Sequence, residues 1–338
     1  MSAAPVGAGV LPHEIRLFYR AADGETRTDL GPSELAAAVQ SESGILWLDL
    51  DLRDRHQHAL LENVFHFHPL SIEDTLNPES RVKLEEYPNY LFAIIRGVRF
   101  EETTEDPYDL ETFNINFFLG RNYLVTVRST HSGACDAMAG AVARNPDLLT
   151  RGPDRLMHQI MDAAVDEFFP VLDRVDDFVD GLEERVFVQF DDRALREIFA
   201  VKRLTLGLRR HLVPQRDVFN TLSNRPNPLL RPETQLYFRD IYDHVLRLTD
   251  TLDNYRELMS STLDSYLSQV SNRLGTITKA LSMVATVTLP FVVISGMWGM
   301  NFTRIPLSGH PHGFAILIVV QVAIAAGLVA FLRWRKLL

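Results

Sequence analysis

The chain has 338 residues, 34 Lys+Arg against 44 Asp+Glu, and a formal net charge of −10; at roughly 100–200 residues per domain, this length suggests two or three units. The acidic balance argues against generic nucleic-acid binding, which needs a basic footprint, and suits a protein that attracts cations. Cys135 is the single cysteine, which excludes an intrachain disulfide and any zinc site built from two or four cysteines of one chain.

Residues 1–11 are small and apolar with no basic stretch, so no secretory signal is expected. Residues 1–133 read as a mixed α/β domain. Short runs rich in β-branched, aromatic and aliphatic residues predict strands at 14–19, 45–50, 90–100, 112–119 and 123–129. Gly120, Arg121 and Asn122 supply a hairpin turn between the last two. Helices are expected at 33–40, 53–65 and 69–76.

Strand signals stop after Asp136, and residues 134–231 read as an acidic helical region. One helix is expected over 156–187, where Asp162, Asp166, Glu167, Asp173, Asp176, Asp177, Asp180, Glu183 and Glu184 suggest a solvated face. A second is expected over 194–221, with Pro214 as a point of interruption, and the Pro-rich stretch 224–228 is a break. Pro232 suits the first position of a helix, with Glu233 in its first turn, and no further proline occurs before Pro290. Ile241, Val245, Leu248, Leu252, Tyr255, Met259, Thr262 and Tyr266 follow in steps of four and three, a 3.5-residue seam. Val270 and Leu274 continue it through a stutter, and Ile277 follows three residues on. We therefore expect one helix over 232–297, about 100 Å long at ~1.5 Å per residue, of which 232–279 is a stalk. A helix of this length needs partners along its face, which implies an oligomer.

Residues 280–298 and 313–332 carry no charge, and each run matches the ~20 residues that cross a bilayer core. The 14 or so residues between them (299–312) are too few for a domain, so the two spans form a hairpin. Arg273 and Lys279 precede the first span, Arg333, Arg335 and Lys336 follow the second in the basic tail 333–338, and the loop carries only Arg304. Both termini are therefore expected in the cytoplasm of a multi-pass membrane protein, with the loop outside. The first span contains Ser282, Thr286, Thr288, Ser295 and Pro290, so it is expected to line a wet path; the second is aliphatic apart from Gln321 and is expected to face lipid. One lining helix per chain cannot enclose a pore, so a ring of copies is required.

Gly299, Met300 and Asn301 close the first span. This triplet between two C-terminal spans resembles the CorA family of divalent-cation channels. The stretch from His68 through Pro69 and Leu70 to Glu73 and Asp74 resembles the family's His-Pro-Leu-x-x-Glu-Asp segment. The stretch from Tyr237 to His244 resembles the start of its stalk helix, and Tyr266 to Asn272 resembles the stretch just before its membrane part. Together these segments cover most of the chain from about residue 60.

The resemblance implies a fold and a mechanism. The fold is an α+β cytoplasmic domain, a long stalk helix and two C-terminal transmembrane helices, in a funnel-shaped homopentamer. Mg2+ is small and sheds water reluctantly, so a ring of neutral Asn301 amides suits a hydrated ion held by hydrogen bonds to its water. Gly299, Met300 and Asn301 are then the selectivity filter. Thr278, Leu281, Ala285, Leu289, Val292 and Gly296 follow at helical steps as the axial face, with Thr278, Leu281 and Leu289 as its gate and Asp264 as an acidic ring below. The resemblance also maps regulatory metal sites between subunits onto Asp74 and Asp240, with Glu73 and Asp162 nearby. Mg2+ is both cargo and regulator in this reading, with Co2+, Ni2+ or Zn2+ as further ions.

Several positions depart from the family pattern. The loop lacks the acidic residue that many magnesium-transporting members carry and holds Arg304, His310 and His312 instead; Trp298 stands where Tyr is common, and Gly275 where some members place Asn. The zinc-transporting ZntB branch is the nearest rival. It shares the Ile305-Pro306 segment, but Met300 favours the CorA branch, because ZntB members usually carry Val there. A membrane-anchored cytoplasmic module that transports nothing is the reading from a different class. No phosphate loop, nucleophile elbow or Cys–His signature supports an enzyme. His56, His58, His66 and His68 read as a helix surface plus the His-Pro segment rather than a zinc site.

Overall fold

The computed structural model describes residues 15–41, 44–53, 55–100, 107–188, 192–300, 305–307 and 309–335. It forms two compact units, Met1–Leu263 and Asp264–Leu338.

The first unit opens with β1 (Arg16–Arg20), β2 (Thr26–Arg27), α1 (Pro32–Ser41) and β3 (Ile45–Asp51). Next come α2 (Arg55–Asn63), α3 (Pro69–Leu76), β4 (Lys83–Glu86), β5 (Leu91–Phe100), β6 (Leu110–Leu119) and β7 (Tyr123–Arg128). The seven strands form one sheet in the order β2-β1-β3-β7-β6-β5-β4. Among the described residues only β3 and β7 pair in parallel, with Leu46 opposite Tyr123 and Leu50 opposite Val127. Both are almost entirely buried, as central parallel strands covered on two faces must be.

Alternation along β3 sends Leu46, Leu48 and Leu50 to one face. There they join Leu35 and Ala38 of α1, Leu60 and Leu61 of α2, and Phe92, Phe118 and Val125. Trp47 and Asp49 take the other face, where a polar chain is sealed in the core. The Trp47 indole donates to the Thr126 hydroxyl (3.1 Å), which donates to Asp49 Oδ1 (2.7 Å), while Arg128 Nε donates to Asp49 Oδ2 (3.1 Å). Burial pushes the Asp49 carboxyl upward against the opposing pull of Arg128 and Thr126. The pairing keeps a charge in a fully buried position that would otherwise be strongly unfavourable.

Helical structure follows: α4 (Gly133–Arg144), a 3-10 turn (Pro146–Arg151), α5 (Pro153–Asp166), α6 (Phe168–Val188), α7 (Asp192–Asn224), α8 (Pro232–Trp298) and α9 (Gly313–Trp334). The long helix is thus observed one residue beyond its expected end. Two expectations need correction. The helix expected over 156–187 is two helices that part at Glu167, because Pro170 lacks the N–H that would bond the Asp166 carbonyl. Helix α7 runs through Pro214 without interruption. Two strands went unforeseen: β2 has two residues, and β4 is a charged edge strand, Lys-Leu-Glu-Glu, whose composition protects an edge but carries no apolar alternation.

The stalk seam also has a different partner from the one expected. Ile241, Val245, Leu248, Leu252, Met259, Thr262 and Tyr266 are buried within a single chain. Helix α8 meets α7 through Arg209 and Asp253 (2.8 Å) and α6 through Thr262 and Glu183 (3.4 Å). Up to Thr262 the chain's own helices cover the seam, and no second copy is needed there.

Replacing Thr126 by Val leaves the Trp47 N–H without an acceptor and removes a donor from Asp49. We expect a loss of about 1–3 kcal/mol, read as a lower midpoint in chemical denaturation followed by tryptophan fluorescence. Thr126→Ser should recover most of it. A midpoint equal to the parent's for Thr126→Val would show that this hydroxyl carries no stability.

Candidate functional site

Helices α5 and α8 start from one clamp. Asp154, in the first turn of α5, accepts from the Arg231 backbone N–H (3.1 Å) and from the Arg231 guanidinium (2.5 and 3.0 Å). Arg231 also donates to the Arg151 carbonyl. Gly152 has φ +97°, a conformation that strains other residues, and a Cβ there would also crowd the Arg231 guanidinium at 2.6 Å. Burial acts to raise the Asp154 pKa, but hydrogen bonds from Arg231 and Thr234 outweigh it, and the net direction is down. The stability this pair contributes is therefore present above the ordinary carboxylate range and is lost as pH falls through the lowered value.

From the clamp the two helices zip together. Arg155 stacks on the Tyr237 ring (3.2 Å). His158 packs on Tyr237 and edge-on against Phe238, with ring centres 5.5 and 5.3 Å away. Burial, reinforced by Arg155, pushes the His158 imidazole down to about 4, so it packs as a neutral ring at neutral pH. Two turns along from the clamp stand Asp162 on α5 and Asp240 on α8, with His244 one turn further.

Asp162, Asp240 and His244 each offer a ligand atom, and these atoms all lie within 4.8 Å of one another. Asp162 Oδ1 is buried without a hydrogen-bond partner. Burial, then the neighbouring Asp166 charge, raises the Asp162 carboxyl. His244 Nδ1 lies 3.4 Å from Asp166 Oδ1, and Phe169 abuts the imidazole edge-on. A desolvated, unpaired carboxylate beside two others is relieved by a cation. Two carboxylates and an imidazole can hold Mg2+ through oxygen or a transition metal through oxygen and nitrogen.

Of the four soluble-domain residues expected to bind metal, the fold brings Asp162 and Asp240 together and adds His244. The signal for His244 was present in its spacing, four residues after Asp240 on a helix. Asp74 and Glu73 lie on α3 and are not in this group. Asp74 pairs with Lys83 (2.5 Å) and accepts from Ser80 (3.4 Å), and Glu73 is exposed. The His-Pro segment caps α3: His68 Nδ1 accepts from the Leu70 N–H (3.2 Å), and Pro69 takes the first helical position. His58 and His66 likewise bond backbone carbonyls, of Leu52 (2.8 Å) and Glu62 (3.0 Å); the side chain of His56 lies outside the described residues.

In the second unit, α8 from Asp264 and α9 form an apolar pair, each long and apolar enough to span a bilayer. Met283, Val287, Pro290, Phe291, Ile294 and Trp298 are the partly covered residues of the first span. Thr278, Leu281, Ala285, Leu289, Val292 and Gly296 are exposed. At ~100° per residue, the two sets are centred roughly 170° apart, so the expected axial face points away from the covered one. Asp264 is also exposed.

Three hydroxyls of this span, those of Thr286, Thr288 and Ser295, bond within the chain. Thr286 donates to the Ser282 carbonyl (2.8 Å) and Thr288 to the Val284 carbonyl (2.7 Å). Gln321 of α9, only 4% exposed, donates to Ser295 Oγ (3.0 Å) and the Phe291 carbonyl (3.4 Å). It ties the two spans together rather than facing lipid. At the end of α8, the Gly299 N–H bonds the Ser295 carbonyl (3.0 Å) and the Met300 N–H bonds the Met297 carbonyl (3.3 Å). Asn301 lies outside the described residues, as do Arg304 and Lys336.

Residues 42–334 match the family described as CorA-like Mg2+ transporter protein. The cobalt/magnesium transport protein CorA of Thermotoga maritima is 31% identical over 273 residues, which cover 80% of this chain and 77% of that one. The zinc transport protein ZntB of Yersinia enterocolitica is 23% identical over 316 residues, 91% of each chain. The structure of the CorA magnesium transporter from Methanocaldococcus jannaschii superposes with a TM-score of 0.79 at 21% identity, covering 94% of this chain and 97% of that one. With an α/β domain, a long helix and two C-terminal apolar helices in that order, the chain belongs to the CorA-like family of divalent-cation transporters, which are membrane proteins and not enzymes.

Proposed function

We propose that the chain assembles as a homopentamer in the cell (inner) membrane, with both termini cytoplasmic and the first span lining an axial path for Mg2+, with Co2+ and Ni2+ as further cargo. One observation carries the assembly. Every residue of α8 from 271 to 280 is exposed in a single chain, including Leu274 (59%) and Ile277 (57%). This stretch precedes the span and holds Arg273 and Lys279, so lipid does not cover it. Burying each such side chain is worth about 1.5–3 kcal/mol, and other copies of the same helix are the partner at hand. The number five comes from the family resemblance. Mg2+ is supported by the family description and by the Thermotoga and Methanocaldococcus names.

Within the ring, Leu281 (69% exposed) and Leu289 (63%) form apolar collars, which close a path by dewetting. Thr278 belongs to the same gate, and Asp264 collects cations on the cytoplasmic side. Gly299, Met300 and Asn301 form the external filter, with Asn301 amides bonding to water that the ion retains. Asp162 and Asp240 hold cytoplasmic Mg2+, which relieves their mutual repulsion and favours the closed ring; Asp74 and Glu73 contribute across the boundary between copies. A ZntB-like Zn2+ transporter, with proton coupling or without it, is the second reading. It is favoured by the His244 imidazole beside two carboxylates and by the Yersinia relative.

Protein in liposomes should take up Mg2+ down its gradient, faster than Zn2+ and without a pH gradient. The reverse order supports the zinc reading, and absence of flux for either ion supports a membrane-anchored module that transports nothing. Asn301→Ala should abolish Mg2+ flux, whereas parental uptake would remove the filter. Asp240→Ala and Asp162→Asn should each shift inhibition by internal Mg2+ to higher concentration, on the order of tenfold for a ligand carboxylate. Closure at the parental concentration would place the sensor elsewhere.

A further inference from the structure

The loop joining the two spans carries a pair of imidazoles that neither the transport path nor the regulatory site uses. His310 and His312 flank Pro311, both are exposed, and their ring centres are 6.1 Å apart with the planes inclined by 58°. Each ring on one metal ion puts its centre roughly 3.2 Å from that ion at Zn–N distances of ~2.0–2.1 Å, so two rings sharing a tetrahedral ion are about 5.2 Å apart. The observed 6.1 Å is wider by about 1 Å, a gap that rotation of two exposed side chains closes without movement of the backbone. The geometry points to a transition-metal site at His310 and His312, one that takes Zn2+, Ni2+ or Co2+ and rejects Mg2+.

The chemistry sets this preference. Imidazole nitrogen is a good ligand for zinc, nickel and cobalt, whereas Mg2+ requires oxygen. The described residues around the pair, Pro306, Leu307, Gly309, Pro311 and Gly313, bring no carboxylate to hold a hard cation. The position also disfavours weak cation binding. His312 stands at the N-cap position of α9 without a side-chain cap bond, where the helix dipole opposes a positive charge. Mg2+ has nothing there to offset that penalty, while two metal–nitrogen bonds exceed it. One local bond must yield. His310 Nδ1 accepts from the His312 N–H at 3.2 Å in an exposed position, and coordination through Nε2 moves the ring proton to Nδ1, which ends this acceptance. An exposed hydrogen bond of that length is worth little, because water replaces it.

The test is calorimetric titration of the purified full-length protein in detergent with Zn2+ alone, then with millimolar Mg2+ present. His310→Ala and His312→Ala should each weaken one class of Zn2+ sites on the order of tenfold or more, since a chelating pair loses its second arm. The double variant should lose that class, His244→Ala should keep it, and Mg2+ should leave it unchanged. Both side chains are exposed, so their removal takes no packing from the fold. A double variant that titrates like the parent, loss of the class in His244→Ala, or displacement of Zn2+ by Mg2+ would each overturn the assignment. The titration reads binding alone, so failure of the transport reading does not affect it.

Discussion

Apolar side chains on a helix must be covered wherever they would meet water, and helix α8 is covered by its own chain along only part of its length. From Ile241 to Thr262 the seam is buried against α5, α6 and α7. From 271 to 280 every residue is exposed. The same helix thus serves two structural purposes. Its first part is a core element of a soluble domain, and its later part presents a bare surface that the proposed ring of copies buries. Both parts belong to the one helix Pro232–Trp298.

The electrostatics of the soluble domain follow from helix spacing. The Asp154–Arg231 clamp starts α5 and α8 from one point. Two turns later this alignment places Asp162 against Asp240, with His244 beside them. A chain of net charge −10 carries many carboxylates at low individual cost because most are solvated. Asp162 differs, since burial strips its water while Asp166 and Asp240 repel its charge. That combination, rather than the number of acids on the surface, is what separates the proposed cation site from an acidic helix face.

In the membrane hairpin, polar groups bond within the chain. Thr286 and Thr288 return their hydroxyl protons to the helix backbone, and Gln321 bonds across to Ser295. The surface opposite the covered face is left to Leu281, Ala285, Leu289 and Val292, whose apolar character suits a gate that works by excluding water.

Much of this protein was legible in order of residues alone. Uncharged runs of spanning length, a proline-initiated helix and a 3.5-residue seam are local or periodic signals, and each reports a physical requirement that needs no knowledge of neighbours. The Gly299-Met300-Asn301 triplet and the His-Pro segment placed the family. Contacts decided the rest. The partner of the stalk seam, the break at Glu167, the edge strand β4 and the inward turn of Gln321 all depend on what lies opposite. So does the metal group. Asp162 and Asp240 are 78 positions apart in the sequence, and the clamp that starts their two helices together lets one carboxylate meet the other, with the His244 imidazole as the third member of the group. Burial and pairing arise between segments distant in the chain, and no pattern within either segment encodes them.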